Sequence, residues 1–454
     1  MMGDTFEPRI AAFVCNWCTY TGADLAGTSR LPYASNVRII RLPCTGRISP
    51  LFILKAFEQG ADGVIVSGCH PGDCHYTAGN YHARRKYTVF RELLHFLGIE
   101  PERITFSWVS AAEGKKWADL VNEVTATVRR LGPRPAAWGE PIIGADGSVA
   151  VPALKPPAPI RYEAPSEKFA AQTEALREKA RELLESGRVE VVIGYGEGTL
   201  PGSVRPVFIK RPEDVERLIW NEHCHHNLSV YAAREIAAHP GKVALVVKGC
   251  DELSIVGLIQ ENRFAAEDVV LIGMGCHGMA DAYGAVQIRC AACTVRTPSF
   301  ASEVIGEATP APAGTNPAAE VVAQLDALAP AERWNFWQTQ IQHCLKCYAC
   351  RAACPLCSCD RCIVEKTQPR WIPPQADGPG NLSWSAVRAW HLAGRCVGCG
   401  ACMEACPAGI PLYLLNLKIA QVVKEAFDYE PGRDPEAAPP LTTYREDDKQ
   451  EFIR

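Results

Sequence analysis

Apolar runs of strand length alternate with helix-length amphipathic stretches over roughly the first 130 residues. RIAAFVC (9–15), VRIIRLPC (37–44), ADGVIVSGC (61–69) and RITFSWV (103–109) are apolar or β-branched, as buried strands are. SPLFILKAFEQG and YTVFRELLHFLG lie between them and have the apolar spacing of helices. This alternation predicts a parallel sheet covered by helices. The middle of the chain repeats the pattern. The charged amphipathic helix EKFAAQTEALREKARELLESG is followed by the strands VEVVIGYG, KVALVVKGC and DVVLIGMGC, which predicts a second α/β domain. A cysteine-dense stretch follows, framed by the helix-like AERWNFWQTQIQ and PLYLLNLKIAQVVKEAF.

Two Pro/Ala/Gly-rich stretches, Gly132–Ser166 and Ala308–Glu320, read as extended linkers, because proline stiffens the chain and interrupts helix and sheet. The expected organisation is a domain over 1–131, a linker over 132–166 and a second domain over 167–307. A linker over 308–333, a third domain over 334–430 and a polar tail over 431–454 complete it. The 454 residues are 47% hydrophobic, enough for several globular cores. A net charge of −4 gives no electrostatic case for nucleic acid. The opening MMGDTFEPRIAAFVCNWC lacks a basic and then apolar leader, and no run of 18 apolar residues predicts a membrane span. A reducing cytoplasm is the expected setting.

The 21 cysteines change the picture, because they are bunched at ligand spacings. Two C-x2-C-x2-C-x3-C-P runs stand near the C-terminus, one of Cys344, Cys347, Cys350 and Cys354, the other of Cys396, Cys399, Cys402 and Cys406. In two-cluster ferredoxins the close triplet holds one cubane and the fourth cysteine reaches the neighbouring one. The expectation is therefore one 4Fe–4S cluster on Cys344, Cys347, Cys350 and Cys406, and a second on Cys396, Cys399, Cys402 and Cys354. Zinc or disulfides are the alternatives, and two complete copies argue against both. Trp334 to Phe427 resembles a dicluster ferredoxin, of α+β or helical build. The insert between the runs is a departure, and its Cys357, Cys359 and Cys362 (CSCDRC) are candidate ligands of another metal, alternative ligands of the first cluster, or small buried residues.

Cys15 and Cys18 (CNWC), Cys44 (RLPCTGRISP), and Cys69 and Cys74 (SGCHPGDCHYTAGN) follow predicted strands. Open α/β sheets gather ligands at the C-terminal ends of their strands, so Cys15, Cys44 and Cys69 should meet on one rim, and with Cys18 and Cys74 five cysteines compete for four ligand places. His70 and His75 are possible ligands, with supporting hydrogen bonds to the site as their expected role, and zinc is the alternative metal. Over Ile10 to Leu131 these motifs resemble the delta subunit of methyl-viologen-reducing hydrogenase. The resemblance implies a flavodoxin-like domain carrying a 2Fe–2S cluster and passing electrons to the flavin subunit of heterodisulfide-reductase complexes.

In the middle segment, KVALVVKGC, LIGMGCHGM and RCAACTVRTP resemble the beta subunit of deazaflavin-reducing hydrogenases and its formate dehydrogenase relatives. That resemblance implies a third 4Fe–4S cluster on Cys276, Cys290 and Cys293, with Cys250 or Cys224 as the fourth ligand. It also raises FAD, although GYGEGTLPG is not G-x-G-x-x-G and is weak as a phosphate cradle. His223, His225 and His226 are metal candidates or a plain polar loop. No hydrolase, metalloprotease or nucleotide-loop signature is present, and no catalytic residue is assigned. The expected function is electron transfer rather than substrate binding. The chain would link a hydrogenase or formate dehydrogenase type subunit to a heterodisulfide-reductase A-like flavin subunit, in a setting where electrons are bifurcated. The alternative is a flavin-dependent oxidoreductase with its own FAD in the middle domain.

Overall fold

A computed structural model describes residues 6–200, 202–281, 283–308, 310 and 316–454. Residues 1–5 of the opening, Pro201 of GYGEGTLPG, and Thr309 and 311–315 of the second proline-rich stretch lie outside the described residues. The four N-terminal strands form where the apolar runs predict: β1 (Ile10–Cys15), β2 (Val37–Leu42), β3 (Gly63–Gly68) and β4 (Ile104–Trp108). They pair in the order β2-β1-β3-β4, all parallel. Side chains alternate between the two faces of a strand, so β1 divides its residues. Ile10, Ala12 and Val14 pack with α1 (Thr19–Thr28), while Ala11 and Phe13 join α2 (Pro50–Glu58) and α3 (Gly79–Phe96). The helix α4 (Gly114–Leu131) lies with α1, through Trp117, Val121 and Val124.

The middle domain comprises α5 (Ser166–Glu185), β5 (Val191–Glu197), β6 (Val204–Ile209), α6 (Ala232–Ala238), β7 (Val243–Val247), α7 (Gly249–Gln260), β8 (Val269–Met274) and β9 (Glu303–Ile305). Its sheet runs β6-β5-β7-β8-β9 and is mixed, because β6 is antiparallel to β5. Neither β6 nor β9 was legible in the sequence. Pro206 masks β6, and it is tolerated because β6 is an edge strand whose missing N–H breaks no inner ladder. Strand β9 has only three residues, too few to show a period.

The C-terminal part is helical: α8 (Pro317–Ala327), α9 (Pro330–Gln342), α10 (Ala349–Ala352), α11 (Gly378–His391), α12 (Ala401–Glu404) and α13 (Leu412–Phe427). Among the described residues from 316 onward the only β pairing is an isolated bridge from Ile453 to Phe106. The extended linker expected over 308–333 is therefore corrected from residue 317 on. Asn316 accepts the Ala318 N–H, Pro317 occupies the first helical turn, and the prolines start helices instead of breaking them.

The first proline-rich stretch is irregular but docked. Trp138 is buried, stacks on Phe57, and donates its indole N–H to Ser383 at 3.2 Å. The polar tail is docked as well. Arg85 binds Asp448 at 2.9 Å, and Arg454 exchanges backbone bonds with Phe106 and Trp108 at the β4 edge. One apolar core runs from α2 and α3 through Trp138 to Trp334, Trp337, Trp384 and Trp390. Phe96 meets Trp337 at 5.5 Å and Phe90 meets Trp390 edge-on at 5.6 Å. The N-terminal and C-terminal domains thus share one interior. Truncating Phe96 to Ala removes an aromatic ring from that interior and should cost about 3–5 kcal/mol. Hydrogen-exchange mass spectrometry should show α3 and α9 losing protection together. Loss in α3 alone, with α9 unchanged, would show two independent cores.

Candidate functional site

The parallel sheet delivers its strand ends to one rim. Cys15 ends β1, Cys44 follows β2, and Cys69 follows β3. Cys18 precedes α1, and Cys74 comes from the loop between β3 and α3. The sulfurs of Cys15, Cys18 and Cys69 lie within 4.8 Å of one another. Cys15 Sγ is 3.6 Å from Cys69 Sγ, and Cys44 Sγ is 3.8 Å from Cys74 Sγ. Backbone amides are aimed at the sulfurs: Cys18 N–H and Thr19 N–H at Cys15, and Gly46 N–H at Cys44. The bond from Cys69 and those two amides, working against burial, hold the Cys15 thiol down to about 5, whereas burial pushes Cys44 up to about 11. Gly79 is required by this packing, since a Cβ there would stand 2.3 Å from Cys44 Sγ and 3.3 Å from Cys74 Sγ.

Neither histidine belongs to the close sulfur group. His70 Nε2 bonds Glu113 Oε2 at 2.7 Å, and Glu113 also accepts the Ser110 N–H. Burial opposes ionisation of Glu113, yet these bonds hold its carboxyl at about 2. His75 stacks on half-exposed Trp17 at 3.8 Å. Asn80, fully buried, donates to the carbonyls of Cys69 and His70 and so fixes the loop that carries Cys69 and Cys74. Sequence reasoning missed Asn80 as a functional residue, and its place next to the essential Gly79 was the available signal.

The two ferredoxin-type runs share one backbone trace. Lys346 and Tyr348 have φ of 52° and 59°, and Gly398 and Gly400, at the same offsets in the second run, have 70° and 69°. Left-handed turns of this kind point successive N–H groups to one side. The Lys346 amide bonds Cys344 and the equivalent Gly398 amide bonds Cys396. Cys344, Cys347, Cys350 and Cys406 line one cleft. Cys354 lies within electrostatic reach of Cys396, Cys399 and Cys402. Cys406 thus lines the first run's cleft, and Cys354 stands near the second run's triplet. Arg388, buried on α11, donates to the Cys350 carbonyl at 3.0 Å and also faces Cys354, Cys357 and Cys402. It sits in the insert and carries no motif, so the sequence did not single it out.

The three cysteines of the insert diverge. Cys357 bonds Cys354, Cys359 is exposed beside Asp360, and Cys362 stands near Tyr348 and Arg351. In the middle domain a cavity of about 370 Å³ is lined by Cys250, Cys276, Cys290 and Cys293 together with Cys396 and Cys399. Cys224 does not line it. That thiol is buried, accepts the Asn221 N–H at 3.3 Å and points to the Ile219 carbonyl. Arg289 reaches the same cavity and packs against Gly400, where a Cβ would stand 2.6 Å from its Cδ. Lys248 beside it is paired with buried Asp251 at 2.8 Å and with the Tyr195 hydroxyl. His226 bonds the Val204 carbonyl, and burial holds His225 near 3. Within GYGEGTLPG, Leu218 fills the space beside Gly194 and Val207 fills that beside Gly196. These glycines serve sheet packing, and no phosphate cradle forms at them.

Residues 10–132 match the family described as methyl-viologen-reducing hydrogenase, delta subunit, and residues 391–411 match a 4Fe-4S binding domain. Over 132 residues the chain is 52% identical to the vhc F420-non-reducing hydrogenase iron-sulfur protein of Methanococcus voltae, its D subunit, covering 29% of this chain and 92% of that relative. The chain belongs to the methyl-viologen-reducing hydrogenase delta-subunit family. The corresponding iron-sulfur D subunit of the F420-non-reducing hydrogenase of Archaeoglobus profundus is likewise 52% identical over 132 residues, 29% of this chain and 96% of that relative. The A subunit of the ferredoxin/F(420)H(2)-dependent CoB-CoM heterodisulfide reductase of Methanosarcina acetivorans is 43% identical over 126 residues, 28% of this chain but 16% of that longer protein.

The delta-family domain here is thus joined to a second mixed-sheet domain and a ferredoxin region that binds 4Fe–4S. The chain is an iron–sulfur electron-transfer subunit related to hydrogenase delta subunits and to the A subunits of heterodisulfide reductases. No helix among the described residues is long and apolar enough to cross a membrane. In the delta-family domain, Gly79→Ala should push Cys44 away and abolish the 2Fe–2S-type signal expected there while sparing the cubane signals. Cys69→Ser and Cys74→Ser should each do the same. Electron paramagnetic resonance of the reduced protein checks this, and a full spectrum in all three variants would move the site elsewhere.

Proposed function

We propose that this chain is a multi-cluster relay that links a hydrogenase or formate dehydrogenase type subunit to a heterodisulfide-reductase A-like flavin subunit, with electrons bifurcated at the flavin of that partner. The carrying observation is the shared cavity, in which four middle-domain cysteines face Cys396 and Cys399 of the second ferredoxin run. In this reading Cys250, Cys276, Cys290 and Cys293 hold one 4Fe–4S cluster. Cys396, Cys399, Cys402 and Cys354 hold the next, and Cys344, Cys347, Cys350 and Cys406 hold the third. The delta-family rim of Cys15, Cys18, Cys44, Cys69 and Cys74 supplies four ligands to a 2Fe–2S cluster. Cys224 belongs to its own loop, and Cys357 is a reserve thiol beside the second cubane.

Such clusters supply one-electron chemistry, and the chain's residues supply position and charge. Arg388 and Arg289 place guanidinium groups beside the sulfurs and offset part of the negative charge gathered there. The amides at Cys15, Cys44, Cys344 and Cys396 do the same at short range. The exposed thiol of Cys347 offers an outlet at the surface. The names of the relatives, hydrogenase and heterodisulfide reductase, support partners of these classes. The full set of sites corresponds to about 14 iron atoms per chain. Anaerobic iron and sulfide analysis of the isolated protein tests this directly. Fewer than about eight irons, without a ferredoxin-like signal on reduction, would refute the relay.

A further inference from the structure

A sheet of parallel strands is normally covered by helices on both faces. In the delta-family domain one strand is left short of cover. Strand β2 is the edge of its sheet, and Arg38, Ile39, Ile40 and Arg41 are all exposed along it. On the α2 face, Ile40 and Leu42 of β2, Phe13 of β1, and Phe52 and Ala56 of α2 line an open groove of about 490 Å³. Its surface is almost wholly apolar. Trp371, from the insert between the ferredoxin runs, joins the lining and lies against Phe52 at 5.3 Å. The groove is therefore built by two domains at once.

The charges around it have one sign. Arg9, Arg38 and Lys55 border the groove. Lys55 is paired with Glu58 at 2.7 Å, whereas the Arg9 and Arg38 side chains have no acidic partner within 4.0 Å among the described residues. An apolar trough with unpaired cations on its rim fits an apolar stripe with carboxylates beside it. Helices are what ordinarily cover the strands of a parallel sheet, so the matching element is an amphipathic helix. A second copy of this chain fits poorly, because an edge-to-edge approach would set Arg38 and Arg41 against the same cations.

We propose that the groove between β2 and α2 receives an amphipathic helix of a partner protein whose apolar stripe is flanked by Asp and Glu. The proposal draws on the relay reading only in expecting a partner, and the test separates the two. A synthetic helix of about 18 residues, five turns long, carries a leucine stripe flanked by Glu, and a second version carries Lys at the same positions. Fluorescence anisotropy with the full iron-loaded chain should show the Glu version binding about tenfold more tightly, as a few surface charge pairs provide. Ile40→Asp should abolish binding, and Arg9→Glu combined with Arg38→Glu should reverse the preference. These side chains are exposed, and unchanged iron content in each variant checks that the fold is intact. Equal affinity for both helices, no binding of either, or binding unaffected by Ile40→Asp overturns the proposal. So does self-association of the chain that Ile40→Asp removes. A chain that keeps its full iron while ignoring both helices loses the docking proposal and keeps the relay.

Discussion

Sulfurs crowded to 3.6 and 3.8 Å repel one another once they are thiolates. Much of this structure exists to hold them together against that repulsion. The first means is the backbone. Strand ends, left-handed turns and helix starts aim N–H groups at Cys15, Cys44, Cys344 and Cys396, and these bonds cost nothing in side-chain entropy. The second is buried positive charge. Arg388 stands among the sulfurs of both ferredoxin runs, and Arg289 stands between the middle-domain cysteines and Cys399. A guanidinium is suited to this place, because it stays charged when buried.

Rigidity is the third requirement, and it comes from the shared core. Phe90 and Phe96 of the delta-family domain pack on Trp390 and Trp337 of the helical domain. Trp138 from the proline-rich stretch fills the same interior. Sites on different domains are therefore held at set separations instead of riding on flexible tethers. The tail adds to this by binding Arg84 and Arg85 of α3, the helix that starts at Gly79 beside the sulfurs. The middle domain is tied in by Arg289 against Gly400 and by Arg395 paired with Glu261.

Most strands and several of the long helices were legible, because each is long enough to show its period. The exceptions have local causes. Pro206 disguised β6, and β9 is too short. Helix α11 was taken as part of an insert, although its residues from Gly380 to Trp390 are buried and form the middle of the helical domain. Pro317 and Pro330 looked like linker residues, yet both occupy first helical turns, where a missing N–H is harmless. The two C-x2-C-x2-C-x3-C-P runs were legible from spacing alone, and in two-cluster ferredoxins such a run gives its fourth cysteine to the neighbouring cluster.

Read along the chain, spacing is enough to say where sulfur is gathered, where the parallel strands end, and that Cys15, Cys44 and Cys69 meet on one rim. These follow from the cysteine runs and from the direction of a parallel sheet, both local properties of the chain. Folding adds that Cys250 and not Cys224 faces the middle cavity. It adds that this cavity opens onto Cys396 and Cys399, and that Arg388 and Arg289 stand beside the sulfurs. It also makes linker and tail packed parts of the molecule. Each of these depends on which side chain is left facing which space once separate domains have closed on a common core, and no local pattern along the chain encodes such a contact, since chain connectivity imposes little proximity of its own on residues tens of positions apart or more.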